Sequence, residues 1–566
     1  MKLGSLWKRP FRLPHLASRP PRPGDPLIYS FNNHRDAVIA EVTERVVHAH
    51  QGDPAHLERI LNDAAMHETR RLQAQGDSEA AESLSFWSNL YRRVARLSDS
   101  EKRRMLRRIV SRMAQGVAGN FDPRVHALAE RAAPKMLTGI MNPTFLPTEL
   151  AGTGSHLDML VRAEGPLESL RRLSNRGTLV FVPTHSSNLD SVVLGYALAR
   201  AGLPPLMYGA GKNLFSNPVL SFFMHNLGAY QVDRRVQAQL YKEVLKAYAC
   251  VVIEKGFHSL FFPGGTRSRS NQVENRLKLG LAGSAVEAFS RRQVRGDGRP
   301  VWFVPTTINY DLVLEAESLI EDHLREKGKA RYIIEDDESS QLDRWIAFLR
   351  KLVGLSSACV IRFGSPIDPF GNSVDDIGQS IGPQGHVVDP VTYVSRNGTP
   401  ELNAERDRAY TQDLAETIVD RFRRNTVIMP TQLVAHVLYR HLVQATPGMD
   451  VFGRVRERGT ITMGWEELEQ EVGNVRDAIV GLEERHELRI QNEIRTARPN
   501  AIVHRALEVW NGYHTHAAAR VTQAEVVIED PSLTLYYQNR LAPWAEQLAD
   551  DGHVAAAREI QLEGRR

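Results

Sequence analysis

The sequence predicts an α/β protein in which a mostly parallel or mixed sheet is covered by helices and flanked by helical domains on both sides. Three observations carry this expectation. Short apolar, β-rich runs recur at 178–183, 206–209, 229–232, 259–262, 301–308 and 359–363. Amphipathic stretches of helical length separate them, and helical periodicity without such runs dominates before and after. Strands that alternate with helices imply a sheet buried on both faces, because each crossover helix packs back onto it. A chain of 566 residues also exceeds what one hydrophobic core normally serves.

In chain order, residues 1–30 read as a basic, Pro-rich flexible arm. Lys2, Lys8, Arg9, Arg12, Arg19 and Arg22 precede any acidic residue, and Pro10, Pro14, Pro20 and Pro21 interrupt the apolar run that a signal peptide needs. Such an arm can approach anionic headgroups, each basic residue contributing about 1 kcal/mol; a solvated tail explains it equally well. Residues 31–150 read as an N-terminal helical domain, with Leu84, Trp87, Leu90, Tyr91 and Val94 at helical spacing and arginines opposite. Residues 151–395 carry the strand-like runs and form the α/β domain, ending in the irregular, Gly- and Pro-rich stretch 371–400. Residues 396–566 return to helical spacing, as in Leu433, Val434, Val437, Leu438 and Leu442, and are expected to form a C-terminal helical domain.

Composition narrows the classes. The chain has 71 Lys+Arg against 67 Asp+Glu, too even a balance to suggest a nucleic-acid partner. Two cysteines, Cys250 and Cys359, make neither a disulfide framework nor a cysteine metal site and fit a reducing compartment. No run reaches the roughly 20 apolar residues that span a bilayer. The expected location is cytoplasmic, with any membrane contact peripheral and on the inner face.

Four blocks could carry chemistry. In the first, the run 178–183 delivers His185 and, with four residues between them, Asp190, to the carboxyl edge of a strand, where open α/β folds place their sites. With Asn188 capping a helix, Asp190 falls in its first turn and can orient the imidazole, which then acts as general base on a substrate hydroxyl. A helix cap beside a packed histidine accounts for the same residues. The second block, Leu227 to Arg235, ends a short strand in Arg234 and Arg235. The third, Phe262-Pro263-Gly264-Gly265-Thr266-Arg267-Ser268-Arg269, joins a Gly-Gly turn to forked donors suited to phosphate oxygens. Solvated arginines are the plainer reading of each alone. In the fourth, Val304 to Glu315, Pro305 ends or kinks a strand and leaves an edge for a ligand.

Together and in this order, the four blocks resemble the glycerolipid acyltransferase family, whose motifs correspond to His185 and Asp190; to Gly228, Tyr230 and Arg234; to 262–268; and to Pro305. The stretches 308–315 and 425–435 are similar to the glycerol-3-phosphate branch of that family. The resemblance implies transfer of an acyl group from acyl-CoA or acyl carrier protein to the sn-1 hydroxyl of glycerol 3-phosphate, with no bound cofactor or metal. It assigns catalysis to His185 and Asp190. Phosphate binding falls to Arg234, Gly265, Arg267 and Arg269, and substrate or acyl positioning to Gly228, Tyr230, Ser268 and Pro305. One position departs: Gly264 stands where the family has a glutamate associated with the glycerol phosphate, so acceptor contacts are expected to differ.

Other readings remain open at this level. They are another acceptor such as lysophosphatidate or dihydroxyacetone phosphate, an inactive lipid- or acyl-carrier-binding relative, and a hydrolase using Ser186 or Ser187, which lacks the Gly-x-Ser-x-Gly elbow. Phe215, Leu220, Phe222, Phe223 and Met224, just before the second block, read as ordinary core, as the lining of an acyl groove or as an interfacial segment.

Overall fold

The computed structural model describes residues 22, 24–75, 81–141, 157–212, 218–328, 358–549 and 553–565; most of the expected N-terminal arm lies outside them. Its centre is a seven-stranded sheet of β1 (Val161–Glu164), β2 (Thr178–Pro183), β3 (Met207–Gly211), β4 (Ala229–Val232), β5 (Ser259–Leu260), β6 (Val301–Tyr310) and β7 (Cys359–Phe363). The order is β1-β7-β6-β2-β5-β3-β4. Every neighbouring pair is parallel except β6 and β7. All of β2 and all ten residues of β6 are buried, which is why both read as unbroken apolar runs without alternation. The edge strand β1, Val-Arg-Ala-Glu, is too short and too charged to stand out in the sequence.

Pro305 corrects an expectation. It does not end β6, which continues to Tyr310. Pro305 pairs in register with Val182, and the Gly364 N–H donates to its carbonyl (2.7 Å). β6 passes here from its parallel partner β2 to its antiparallel partner β7, whose pairing begins at Thr306, so the missing N–H falls at a change of partner.

The N-terminal helices α1 (Phe31–His50), α2 (Pro54–Gln75), α3 (Ala81–Arg93), α4 (Asp99–Val117) and α5 (Pro123–Met141) precede the sheet. Val38, Val42, Leu61, Leu106 and Val110 form a core of their own, which extends onto Tyr230 of β4 and onto the outer face of the later helix Gln239–Glu254.

The C-terminal region is not purely helical. Besides the helices Ala404–Asn425, Pro430–Ala445, Trp465–Glu484, Pro499–Tyr513, Pro531–Gln538 and Val554–Arg565, it holds an antiparallel sheet of Thr462–Gly464, Glu525–Ile528 and Ala519–Thr522, in that order. Its apolar interior is continuous with that of the main sheet. One cluster runs from Val180 and Phe303 through Leu433, Leu438 and Trp510 to Tyr537. The helix Pro430–Ala445 is buried around nearly its whole circumference, as a helix at the centre of a fused core must be.

Candidate active site

β2 delivers its chain to the carboxyl edge of the sheet, where Thr184 N–H donates to the Thr306 carbonyl (3.0 Å) and the Ile308 N–H donates to the Thr184 hydroxyl (3.0 Å). The loop that follows is organised around one carboxylate. Asp190 is fully buried, and its Oδ2 is bonded by His185 Nδ1 (2.7 Å), Ser186 N–H (2.7 Å) and Ser187 N–H (3.0 Å). Its Oδ1 accepts from the Tyr310 hydroxyl on β6 (2.8 Å). Four partners fix this side chain and offset its burial. Because Nδ1 is engaged, Nε2 is the ring nitrogen left for a substrate. The Phe262 ring stacks on the imidazole at 4.2 Å between centroids, which holds the ring plane.

The helix after this loop runs Asp190–Arg200 and takes Leu189 as its cap position, not Asn188, and no side chain caps it. Asn188 instead donates its backbone N–H to Glu315 Oε1 (2.9 Å) and lines the cleft. Ser186 and Ser187 are each 1% exposed. The Ser187 hydroxyl donates to Glu315 Oε2 (2.9 Å), and that of Ser186 faces a guanidinium, so neither is set out as a nucleophile.

His185 lines a cleft with about 800 Å³ of empty space, counting its open mouth, together with Phe262, Thr266, Arg234, Arg267 and Arg269. The three arginines named from sequence therefore line the same cleft as the histidine, although Arg234 follows β4 while Arg267 and Arg269 follow β5. Arg235 does not join them, being turned to Asp233 (3.3 Å). Two of the three have acidic neighbours: Arg267 lies 3.5 Å from Glu315, and Arg269 pairs with Glu326 (2.9 Å). Asp322 stands on the same wall.

The remaining sequence-predicted residues build the site without facing it. Gly265 has φ +74°, and its N–H closes the turn onto the Phe262 carbonyl (3.2 Å), so no free amide is offered to a phosphate. Thr266 takes its place on the cleft wall. Ser268 ties the third block to the first, its N–H donating to the His185 carbonyl (2.7 Å), while its hydroxyl donates to the Gln272 carbonyl. Gly228 has φ +89°, and a Cβ there would meet the Leu206 carbonyl oxygen at 2.7 Å. Tyr230 is 1% exposed, packs against Tyr248 and Gly209 and does not line the cleft. Phe222, Phe223 and Met224 belong to neither buried core and are only half-buried, which departs from the ordinary-core reading. Phe215 and the Leu220 side chain lie outside what is described.

A protein-family model for the acyltransferase domain matches residues 166–309, which hold His185, Asp190, all three cleft arginines and Pro305. The chain carries an acyltransferase-family domain. Over 202 residues, or 36% of its length, the chain is 31% identical to a glycerol-3-phosphate acyltransferase of Ectopseudomonas mendocina (strain ymp), covering 23% of that protein. Glycerol-3-phosphate acyltransferases of Pseudomonas paraeruginosa (strain DSM 24068 / PA7) and Pseudomonas aeruginosa (strain LESB58) are each 30% identical over 202 residues, with 22% of their length covered. The matched stretch thus spans less than a quarter of these curated relatives.

Three residues that the sequence did not assign to the acyltransferase site shape its loop. Glu315, just past the matched domain, receives both the Ser187 hydroxyl and the Asn188 amide, and burial raises its carboxyl above the ordinary range against the pull of Arg267. Glu274 accepts the His185 N–H (2.9 Å) and is pushed up to about 7, by burial first. Its carboxyl occupies the space beside Gly264, where a Cβ would stand 3.1 Å from Cδ and both oxygens. Arg540, from the chain's C-terminal end, is buried behind Ser186. Glu315 was visible as the end of the fourth block. For Glu274 and Arg540 no spacing signal exists.

Proposed function

We propose that the protein transfers a fatty acyl group from a thioester, on coenzyme A or acyl carrier protein, to the sn-1 hydroxyl of glycerol 3-phosphate, giving lysophosphatidic acid for phospholipid synthesis. The observation that carries this reading is that a carboxylate-oriented imidazole and three arginines share one cleft. His185 Nε2 takes the hydroxyl proton as the oxygen attacks the thioester carbonyl. The carbon–sulfur bond then breaks, and the imidazolium returns the proton to the departing thiolate. Asp190 holds the ring and supports its charge through Nδ1. Arg234, Arg267 and Arg269 hold the acceptor phosphate, converting binding energy into orientation of the hydroxyl. Half-buried Phe222, Phe223 and Met224 suit an acyl chain or the inner face of the cell membrane. Among the described residues no helix is long and apolar enough to cross a bilayer.

The test is thiol release from an acyl thioester offered with a panel of phosphorylated alcohols, with identification of the ester formed. His185→Ala is expected to lower turnover by at least about 10²–10⁴-fold with the fold intact. Full activity in that variant removes the proposed base. An ester formed on another alcohol in preference to glycerol 3-phosphate removes the proposed acceptor.

A further inference from the structure

Behind the His185 loop, on the side away from the cleft, two side chains from distant parts of the chain reach the same stretch of main chain. Glu274 reaches back from the segment after the Gly264–Gly265 turn and binds the His185 N–H through Oε1. Its Oε2 is buried and has no hydrogen-bond partner among the described residues. Arg540 follows the helix Pro531–Gln538 and is 2% exposed. Its Nη2 points at the Ser186 hydroxyl and the Ile308 carbonyl, both at 3.4 Å, and its Nε likewise has no partner. The groups that bear on Arg540 are the Tyr536 hydroxyl and the carboxyls of Glu274 and Asp190, and those that bear on Glu274 are Arg540, Asp190 and the Gly264 main chain. Glu315 and Arg267 hold the other side of the loop. Two buried carboxylates, Asp190 and Glu274, thus flank the main chain of the proposed base, with Arg540 as the cation that bears on both.

We infer that Arg540 is a positioning residue for the acyltransferase site, contributed by the C-terminal segment, and that with Glu274 it fixes the main chain of the His185 loop from behind. The inference rests on the acyl-transfer reading only for its kinetic readout. The C-terminal region is on this account part of the active site.

The experiment compares wild type, Arg540→Met, Arg540→Lys, Glu274→Met and the double variant Arg540→Met/Glu274→Met in the full chain. Arg540→Met is expected to lower kcat about 10- to 100-fold, with KM for both substrates within about threefold and the urea midpoint little changed. Arg540→Lys should recover most of kcat. Because both side chains act on one loop, the loss in the double variant should be clearly smaller than the product of the two single losses. A residue that only stabilised the fold would lower the urea midpoint and activity together, without that split or rescue. Losses that multiply strictly, with kcat and KM changing alike, overturn the inference.

Hydrogen exchange of the peptide containing His185 provides a readout that needs no turnover. Faster exchange in both Glu274→Met, which removes the acceptor, and Arg540→Met than in wild type supports the positioning role, and unchanged exchange overturns it. A wild type inactive on every thioester counts against the acyl-transfer reading alone, and exchange then decides the positioning role.

Discussion

A carboxylate with four partners can still be tested for its charge separately from its shape. Asn at position 190 can keep its carbonyl oxygen toward His185 Nδ1 and the Ser186 and Ser187 amides, and turn its NH₂ toward the Tyr310 hydroxyl, which can accept as well as donate. Asp190→Asn therefore preserves much of the loop while removing the negative charge that supports an imidazolium. Its kcat is expected to fall about 10²–10⁴-fold, with KM for both substrates within about threefold. Steady-state kinetics decide this, and a loss below about fivefold would mean that Asp190 only builds the loop. His185 and Asp190 were legible in the sequence because a four-residue gap after a strand leaves a single turn in which to meet. Glu274 and Arg540 were not, since they reach the same loop from 89 and 354 residues away, and no local pattern encodes such a meeting. Tyr230 and Gly265 stand out by motif alone, which does not encode that Tyr230 is buried in packing or that the Gly265 amide closes a turn.

The elements around the site were legible in proportion to how completely they are buried. β2 and β6 announce themselves because both faces are covered. β1 and the three short strands of the C-terminal sheet do not, because edge strands and three- or four-residue strands carry too little pattern to separate from the helices around them. The helix Pro531–Gln538 matters most here, since the chain leaving it carries Arg540. All eight of its residues are buried, and Asp530 caps it by accepting from the Ser532 N–H (2.9 Å) and the Leu533 N–H (3.2 Å), with Pro531 in the first turn. Asp530→Ala is expected to cost about 1 kcal/mol of unfolding free energy in urea titration. Because the same helix leads to Arg540, activity should fall by more than the unfolded fraction accounts for. Loss of activity that tracks unfolding alone would separate this helix from the chemistry.

At the scale of the molecule, the continuous apolar cluster joins the acyltransferase sheet to the C-terminal helices, so the boundary near residue 396 that composition suggests is not a boundary in packing. That fusion buries titratable groups far from the cleft. His436, on the central helix Pro430–Ala445, is 1% exposed, with Nδ1 lacking any partner among the described residues. Burial, reinforced by Arg440, lowers it from 6.5 to about 3. His514 is likewise lowered to about 3, and His258 to about 4. The sign follows directly. Between the two values the unfolded chain takes a proton at His436 that the folded chain refuses, so stability is full above about pH 6.5 and is lost as pH falls toward 3, by at most about 1.4 kcal/mol per pH unit for one such group. Glu274 acts oppositely: pushed up from 4.5 to about 7, it holds a proton in the folded state that the unfolded state releases, and its contribution falls as pH rises through that window. The whole-chain curve mixes these opposing groups, but the difference between wild type and His436→Gln isolates one of them. Urea unfolding near pH 7.5, 6 and 5 should give the variant a stability deficit that shrinks by about 1 kcal/mol between the two lower values, because glutamine has no proton to refuse. Parallel curves would mean that His436 already carries its proton, or reaches water, in the folded chain.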